Sequence, residues 1–188
     1  MSFHITGDRE ADRVLDESPF ALLVGMLLDQ QYPMEHAFRG PAKVIERFGT
    51  LEPARVAEAD PEAFAAMCAT PPAVHRYPGS MAGRVQALAA VVVDQYGGDA
   101  AALWHTAGTG AELYARLKAL PGFGDAKARI FVALLGKQRG VRPEGWEKAA
   151  GAYAEVGSYR SVADVVDPAS LLKVRAFKQE QKAAAKAR

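Results

Sequence analysis

The sequence contains a single cysteine and no long apolar run. Because Cys68 has no partner in the chain, an internal disulfide framework, a cysteine zinc site and a four-cysteine iron–sulfur cluster are excluded. The apolar strings, such as residues 87–93, fall far short of the ~20 residues that span a bilayer. The first 16 residues carry charges throughout and lack the apolar core of a signal peptide. We therefore expect a cytoplasmic protein that makes no contact with a membrane.

The chain also lacks an overall excess of either charge sign, since its formal net charge is +1 at pH 7. The distribution is nevertheless uneven. Residues 1–115 hold 8 basic and 15 acidic side chains, residues 116–148 hold 8 and 3, and residues 149–188 hold 7 and 4. A basic second half can present a local cationic face to a polyanion. The alternative to a polyanion-binding face is an ordinary solvated surface of Lys and Arg. Taken by itself, the charge distribution favours this alternative.

No segment shows the alternation of apolar and polar residues that is typical of a strand. At 188 residues the chain fits one compact domain or two small lobes. Proline and glycine flank several apolar stretches at positions where helices begin and end. We therefore predict an all-α protein with a loop over residues 69–80 and helices over residues 20–28, 36–48, 61–67, 81–96, 112–119, 126–136, 145–156 and 168–187.

The most informative segment is the glycine turn at residues 120–124, which reads L-P-G-F-G between two predicted helices. Gly122 and Gly124 permit a tight turn with positive φ and leave backbone N–H groups uncovered. The next helix adds the unpaired N–H groups and positive dipole end of its N-terminus. Together these features predict an anion site that suits a phosphate. An ordinary turn between two helices is the structural alternative.

The run L-P-G-F-G-D-A-K-A resembles the helix-hairpin-helix of the HhH-GPD superfamily of base-excision DNA glycosylases, which includes endonuclease III and alkyladenine glycosylase. The residues L-L-D-Q-Q at positions 27–31 resemble the L-x-x-Q segment that ends an early buried helix in that family. The resemblance covers residues 19–146. It implies two helical lobes, one formed by residues 19–140 with the hairpin at about 117–130, the other by residues 1–18 and 141–188. A monomer would bind double-stranded DNA across the cleft between the lobes and flip the target base into it; in a bacterium it would be nucleoid-associated.

The resemblance implies a catalytic carboxylate about twenty residues after the second glycine, where this chain has Glu144. A carboxylate stabilises the oxocarbenium charge that develops on the sugar, or activates water. The family has aspartate here, and the extra methylene of glutamate moves the oxygens by roughly 1.5 Å, a shift that matters for catalysis. A glutamate that complements a helix dipole is the structural alternative.

The resemblance also implies a monofunctional enzyme. Members that cleave the backbone place a lysine two residues after the second glycine, where this chain has Ala126. Lys127 is rotated from that position by about 100° around a helix. The DNA-binding residues that the resemblance implies are Gly122, Phe123, Gly124, Ala126, Lys127 and Gln31, with Lys127 on a phosphate. Further candidates for phosphate contacts are Lys118, Arg129 and Lys137, and Asp125 is interpreted as a helix cap.

Gln31 matches the family's glutamine that approaches the gap left by a flipped base, with Gln30 as its companion. Tyr32 and Trp146 are candidate stacking walls of the base pocket. Polar surface for the glutamines and core for the aromatics are the alternatives. The basic residues after position 171 either extend the DNA-binding surface or form a frayed tail.

The expected cofactor content is none beyond a monovalent cation on the hairpin carbonyls, which the resemblance implies. The histidines are scattered and predict no metal site; they are His4, His36, His75 and His105. Two functions remain open. The first is a glycosylase that hydrolyses the N-glycosidic bond of a damaged or mispaired base with the help of Glu144. The second is a non-catalytic helix-hairpin-helix protein that binds DNA or senses lesions.

Overall fold

A computed structural model describes residues 2–188 as an all-α protein, which confirms the predicted fold class. Helix accounts for 67% of the chain, and the described residues form no strand. None of the helices between residues 2 and 188 is both long and apolar enough to cross a membrane. The helices, in chain order, are α1 (Arg9–Glu17), α2 (Pro19–Leu28), α3 (Met34–Phe48), α4 (Pro53–Glu58), α5 (Pro61–Ala69), α6 (Pro78–Tyr96), α7 (Ala102–His105), α8 (Gly110–Lys118), α9 (Asp125–Gln138), α10 (Trp146–Ala150) and α11 (Pro168–Lys186), with 3₁₀ turns at Gly151–Ala154 and Val162–Asp164.

Helix α2 is the centre of the core. Ser18 caps it by accepting a hydrogen bond from the Ala21 N–H, and Pro19 occupies its first turn. Every later residue of the helix is buried, and α1, α3 and α6 pack around it. Gly25 allows close approach of α3, since a Cβ atom there would lie 2.3 Å from the Phe38 ring. The core therefore fixes the end of α2 and the loop that follows it.

Helices α8 and α9 pack against each other on either side of the glycine turn at residues 120–124, and we call this helix pair the hairpin. Thr109 caps α8 through the Glu112 N–H, and Gly124 is the N-cap residue of α9. Phe123 is buried and packs edge-on against Phe131 of α9. Gly122 has φ +76°, and a Cβ atom there would lie 2.1 Å from Leu27 Cδ1. The turn is therefore seated directly on the end of α2, which only glycine permits.

The structure adds helices that the pattern did not predict and divides one that it did. Helices α1, α4 and α7 are short, with nine, six and four residues, so each offers few periods of apolar spacing to recognise. The predicted helix over 145–156 is wrong as one element, because Gly151 adopts φ +62° and ends α10. The predicted loop at 69–80 is too long, since α6 begins at Pro78.

Buried hydrophobic residues form one contiguous cluster that extends from Phe3 to Val174. Helix α1 packs against α2 and α3, and the Val162–Asp164 turn packs against α9. Asp16 of α1 forms an ion pair with Arg139, just beyond the end of α9. The chain ends are thus joined to the helices of the middle segment, and the division into lobes of residues 19–140 and 1–18 with 141–188 stays a prediction.

Candidate functional site

The hairpin turn exposes the start of α9. The N–H groups of Asp125, Ala126 and Lys127 belong to the first turn and have no carbonyl partner within the helix. Gly124 provides no side-chain cap, and the space beside its Cα is open to 4 Å. Gly122, Gly124 and Ala126 are all exposed. This arrangement keeps the N-terminal dipole end of α9 accessible to an anion.

Asp125 does not cap α9, and that interpretation is wrong. Its carboxylate lies in the first turn and pairs with Arg129 at 3.0 Å. It also accepts a hydrogen bond from the Tyr114 hydroxyl, which is the main reason that the pKa of Asp125 lies below its ordinary value. Arg129 in turn donates to the Ala149 carbonyl at 2.8 Å. Asp125 therefore belongs to a network that ties α8, α9 and α10 together.

Lys127 points toward the end of α2. Its ammonium donates to the Leu27 carbonyl at 2.8 Å, where a cation complements the negative end of the helix dipole. Burial lowers the pKa of Lys127 to about 8, although the charge of Asp29 acts in the opposite direction. A phosphate contact through Lys127 stays a prediction.

The other predicted phosphate ligands are placed differently from one another. Lys137 pairs with the buried carboxylate of Asp164 at 2.6 Å and donates to the Glu155 carbonyl. Arg129 is held by the Asp125 network described above. Lys118 is exposed, with its ammonium 5.8 Å from the Tyr114 ring centre. Of these three side chains, Lys118 is the most accessible to a partner.

The loop after α2 carries the predicted glutamines. Gln31 is exposed and has φ +53°, a backbone conformation that non-glycine residues rarely adopt. The backbone carbonyl of Gln30 lies 2.9 Å from Nε2 of the buried His75. The side-chain oxygen of Gln30 accepts a hydrogen bond from Arg84. Burial lowers the pKa of His75, whose ring lies against Tyr32 at 4.8 Å between centres. The loop is therefore supported from the protein interior, while Gln31 faces outward.

This loop forms one wall of a cleft of about 730 Å³. Gln31 and Tyr32 line it, Ile130 of α9 and Tyr153 of the 3₁₀ turn contribute, and α11 forms the opposite side. The volume is within the range of sites that hold a small molecule or a single nucleotide. Tyr32, Tyr153 and Phe177 give this cleft aromatic surface.

The cleft holds two nearly buried carboxylates that face cations of α11. Asp29, with its side chain 9% exposed, pairs with Lys178 at 3.2 Å. Glu35, with its side chain 10% exposed, pairs with Arg175 at 3.2 Å. Arg160 and Lys182 complete the charged lining. Since Arg175, Lys178 and Lys182 are three and four residues apart, they form one stripe of α11, which we call the basic stripe.

Glu144 and Trp146 do not line this cleft. The Glu144 carbonyl accepts from the Gly110 N–H at 2.8 Å, at the start of α8, and its side chain is exposed. The nine residues of α8, a length of ~13.5 Å, separate that point from the hairpin turn. Trp146 lines another cavity. Its ring packs closely on Gly136, since a Cβ atom on that residue would lie 2.4 Å from the ring.

The structure therefore brings Gln31 and Tyr32 together near the hairpin, and leaves the predicted catalytic residue and second stacking wall elsewhere. The main site residues that sequence reasoning missed are the cleft carboxylates and their partners. Asp29 stands within the same L-L-D-Q-Q segment and offered a local signal. Glu35 offered none, because its ion-pair partner Arg175 lies 140 positions away in the sequence.

No group of three His, Cys, Asp or Glu side chains in residues 2–188 is arranged to hold a metal ion. The single cysteine, Cys68, is buried, and burial raises the pKa of its thiol to about 11.

Compared with known proteins, the chain matches no family model, no curated protein and no solved structure.

Proposed function

We propose that this protein is a monofunctional DNA glycosylase that binds double-stranded DNA through the α8–α9 hairpin and takes an extruded nucleotide into the cleft. The observation that carries the proposal is the position of the cleft, which lies between the Gln31 loop, α9 and the basic stripe. The two-lobed HhH-GPD fold is part of the same proposal.

The proposed DNA contacts come from two elements. The exposed N-terminus of α9 receives a phosphate through backbone N–H groups and the helix dipole. Lys182 and the exposed Arg175 on α11 supply cations to the strand that enters the cleft. Binding that depends on such contacts weakens steeply with added salt.

The proposed recognition step uses the Gln31 loop. A nucleotide extruded from a duplex leaves an unpaired partner base, and the Gln31 amide can both donate to it and accept from it. The exposed position of Gln31 and its unusual φ fit a side chain held out from the surface by the loop beneath it. Tyr32 and Tyr153 offer stacking surfaces to the extruded base.

Hydrolysis needs a carboxylate near C1′ of the sugar. The resemblance assigns this role to Glu144, whereas the carboxylates that line the cleft are Asp29 and Glu35. Asp29 is held by Lys178 and lies two residues before Gln31. Asp29 is therefore the alternative acid or base to Glu144, and variants of the two residues decide between them.

The second candidate function is a DNA-binding or lesion-sensing protein without catalysis. The specific observation that favours it is the position of Glu144, which lies outside the cleft at the start of α8, the end of that helix away from the glycine turn. Such a protein binds extruded nucleotides and releases none of their bases.

The two functions are separated by base release from duplexes that contain uracil, hypoxanthine, alkylated adenine, mismatched thymine or oxidised guanine. We expect the wild-type protein to release one of these bases. Loss of release by at least 100-fold in Glu144→Gln or in Asp29→Asn, with DNA affinity retained, identifies the carboxylate. Glu46→Gln, an exposed glutamate on α3, is the matched control. No release from any duplex despite salt-sensitive binding supports the second function instead.

A further inference from the structure

The side chain of Glu35 is the least satisfied polar group in the cleft. Its Oε2 atom is buried and has no hydrogen-bond partner among residues 2–188. Leaving a buried acceptor unpaired is unfavourable, more so when the group is charged. Native proteins pair nearly all such atoms, and an exception calls for an explanation.

The surroundings of Glu35 favour a carboxylate but satisfy only half of it. Glu35 lies in the first turn of α3, where the helix dipole favours negative charge. Its one ion pair joins Oε1 to the guanidinium of Arg175 at 3.2 Å. Arg175 is 48% exposed, so its long side chain can rotate toward solvent. Oε2 is shielded from solvent in this conformation, so a donor in the cleft reaches it when the side chains beside Glu35 move.

The rest of the cleft indicates what kind of donor fits. Tyr32, Tyr153 and Phe177 provide surfaces on which a planar ring can stack, and Lys182 provides a cation for a phosphate. A buried carboxylate accepts hydrogen bonds and repels groups that only accept. The matching ligand is a nucleotide whose base carries an N–H group on the edge that faces Glu35.

We propose that Glu35 determines base specificity by accepting a hydrogen bond from an N–H group of the extruded base through Oε2. This assignment rests on the proposed function, because it takes the nucleotide from DNA. A base that places only acceptors or a methyl group at that edge leaves the carboxylate unpaired and is rejected. A loss of this kind corresponds to about 10-fold in affinity, within the range measured for single base-edge contacts.

The test uses duplexes in which one nucleotide faces an abasic site, so that extrusion breaks no base pair. Two matched pairs of bases are compared. Adenine carries an amino group that unsubstituted purine lacks, and uracil carries an N3–H group that is methylated in N3-methyluracil. Affinities are measured by fluorescence anisotropy of end-labelled DNA. We expect wild-type protein to bind the donor-bearing member of at least one pair about 10-fold more tightly.

The decisive variant is Glu35→Met, which keeps the length of the side chain and removes the acceptor. We expect the preference to fall below 2-fold, while Glu46→Met, an exposed glutamate on the same helix, leaves it unchanged. Thermal unfolding of Glu35→Met reports on folding, and a cooperative transition with a Tm close to that of wild-type protein shows that the variant keeps its fold.

Three results overturn the assignment. Wild-type protein that binds both members of both pairs within 2-fold, or Glu35→Met that keeps the preference, removes Glu35 as the specificity residue and leaves the proposed function standing. Absence of any DNA binding by wild-type protein removes the proposed function together with this assignment.

Discussion

Two glycines of the hairpin look equivalent in the sequence but have different physical roles. Gly122 is required by the fold, because it combines φ +76° with a Cβ position 2.1 Å from Leu27 Cδ1. Gly124 has an extended φ of −128° and open space around it. Substitution of Gly122 therefore disturbs packing on α2 and cannot report on DNA binding alone. A test of the anion site needs an exposed residue whose substitution is neutral for folding.

Ala126 is such a residue. We expect Ala126→Glu to weaken duplex DNA binding about 10-fold, because its carboxylate would repel the phosphate proposed to bind at the start of α9. The same charge is favourable for the helix itself, since acidic residues stabilise a first turn. Fluorescence anisotropy at fixed salt measures the affinity.

The matched control is Ala111→Glu, which adds the same charge to the exposed first turn of α8. It should change affinity by less than 2-fold. Equal losses in the two variants would indicate general repulsion of DNA and contradict a specific site at the hairpin.

Lys127 gives a prediction on pH dependence. Burial lowers its pKa to about 8 in the folded protein, against 10.5 ordinarily, so between these values the unfolded chain binds the additional proton. The free energy of unfolding of wild-type protein should therefore rise from pH 8 to pH 10.5 relative to Lys127→Met, by about 1–3 kcal/mol. Urea unfolding of both proteins at pH 7.5 and pH 10 measures the difference. Parallel behaviour of the two proteins would show that Lys127 keeps an ordinary pKa.

At the scale of elements, α11 shows what periodicity can and cannot predict. Its sequence predicts a helix over 168–187, close to the observed Pro168–Lys186. The spacing of Arg175, Lys178 and Lys182 also indicates one stripe. The surface that this stripe faces depends on Asp29 and Glu35, about 140–150 residues away. No local pattern encodes that contact.

The basic stripe leads to a prediction for DNA affinity. We expect Lys182→Glu, at the edge of the cleft, to weaken binding about 10-fold and to lower the slope of log affinity against log salt by about 1. Lys186→Glu, one turn further along α11 and also exposed, makes the same change outside the cleft lining. An equal effect of both variants would mean that α11 acts through its overall charge and that the stripe has no separate role.

The segment after α9 shows why the predicted site was incomplete. The sequence suggested one helix over 145–156 and a carboxylate at its start. In the structure Gly145 and Gly151 have φ of +78° and +62°, so α10 is reduced to five residues. The backbone pairing of Gly110 with Glu144 then holds this residue at the start of α8. Glycine conformations and the packing of α10 against α8 and α9 place Glu144 at the start of α8, and neither follows from spacing.

At the scale of the whole molecule, local signals predicted the helical class and a glycine turn between two helices, whereas the site depends on packing between distant segments. The turn could be predicted because glycine conformations and capping act within a few residues. The cleft could not, because its walls come from the α2–α3 loop, α9, the 3₁₀ turn at Gly151–Ala154 and α11. The resemblance of residues 27–31 predicts a role for Gln31, and Tyr32 beside it is a predicted stacking wall, whereas the pairing of Asp29 and of Glu35 with α11 appears only in the folded chain.

The most direct test of the account compares the affinity of wild-type protein for two duplexes of the same length. One is fully paired, and the other contains a single nucleotide opposite an abasic site. A cleft that accepts an extruded nucleotide predicts about 10-fold tighter binding of the second duplex, because no base pair has to be broken. Equal affinities, or no binding of either duplex at low salt, would contradict the account.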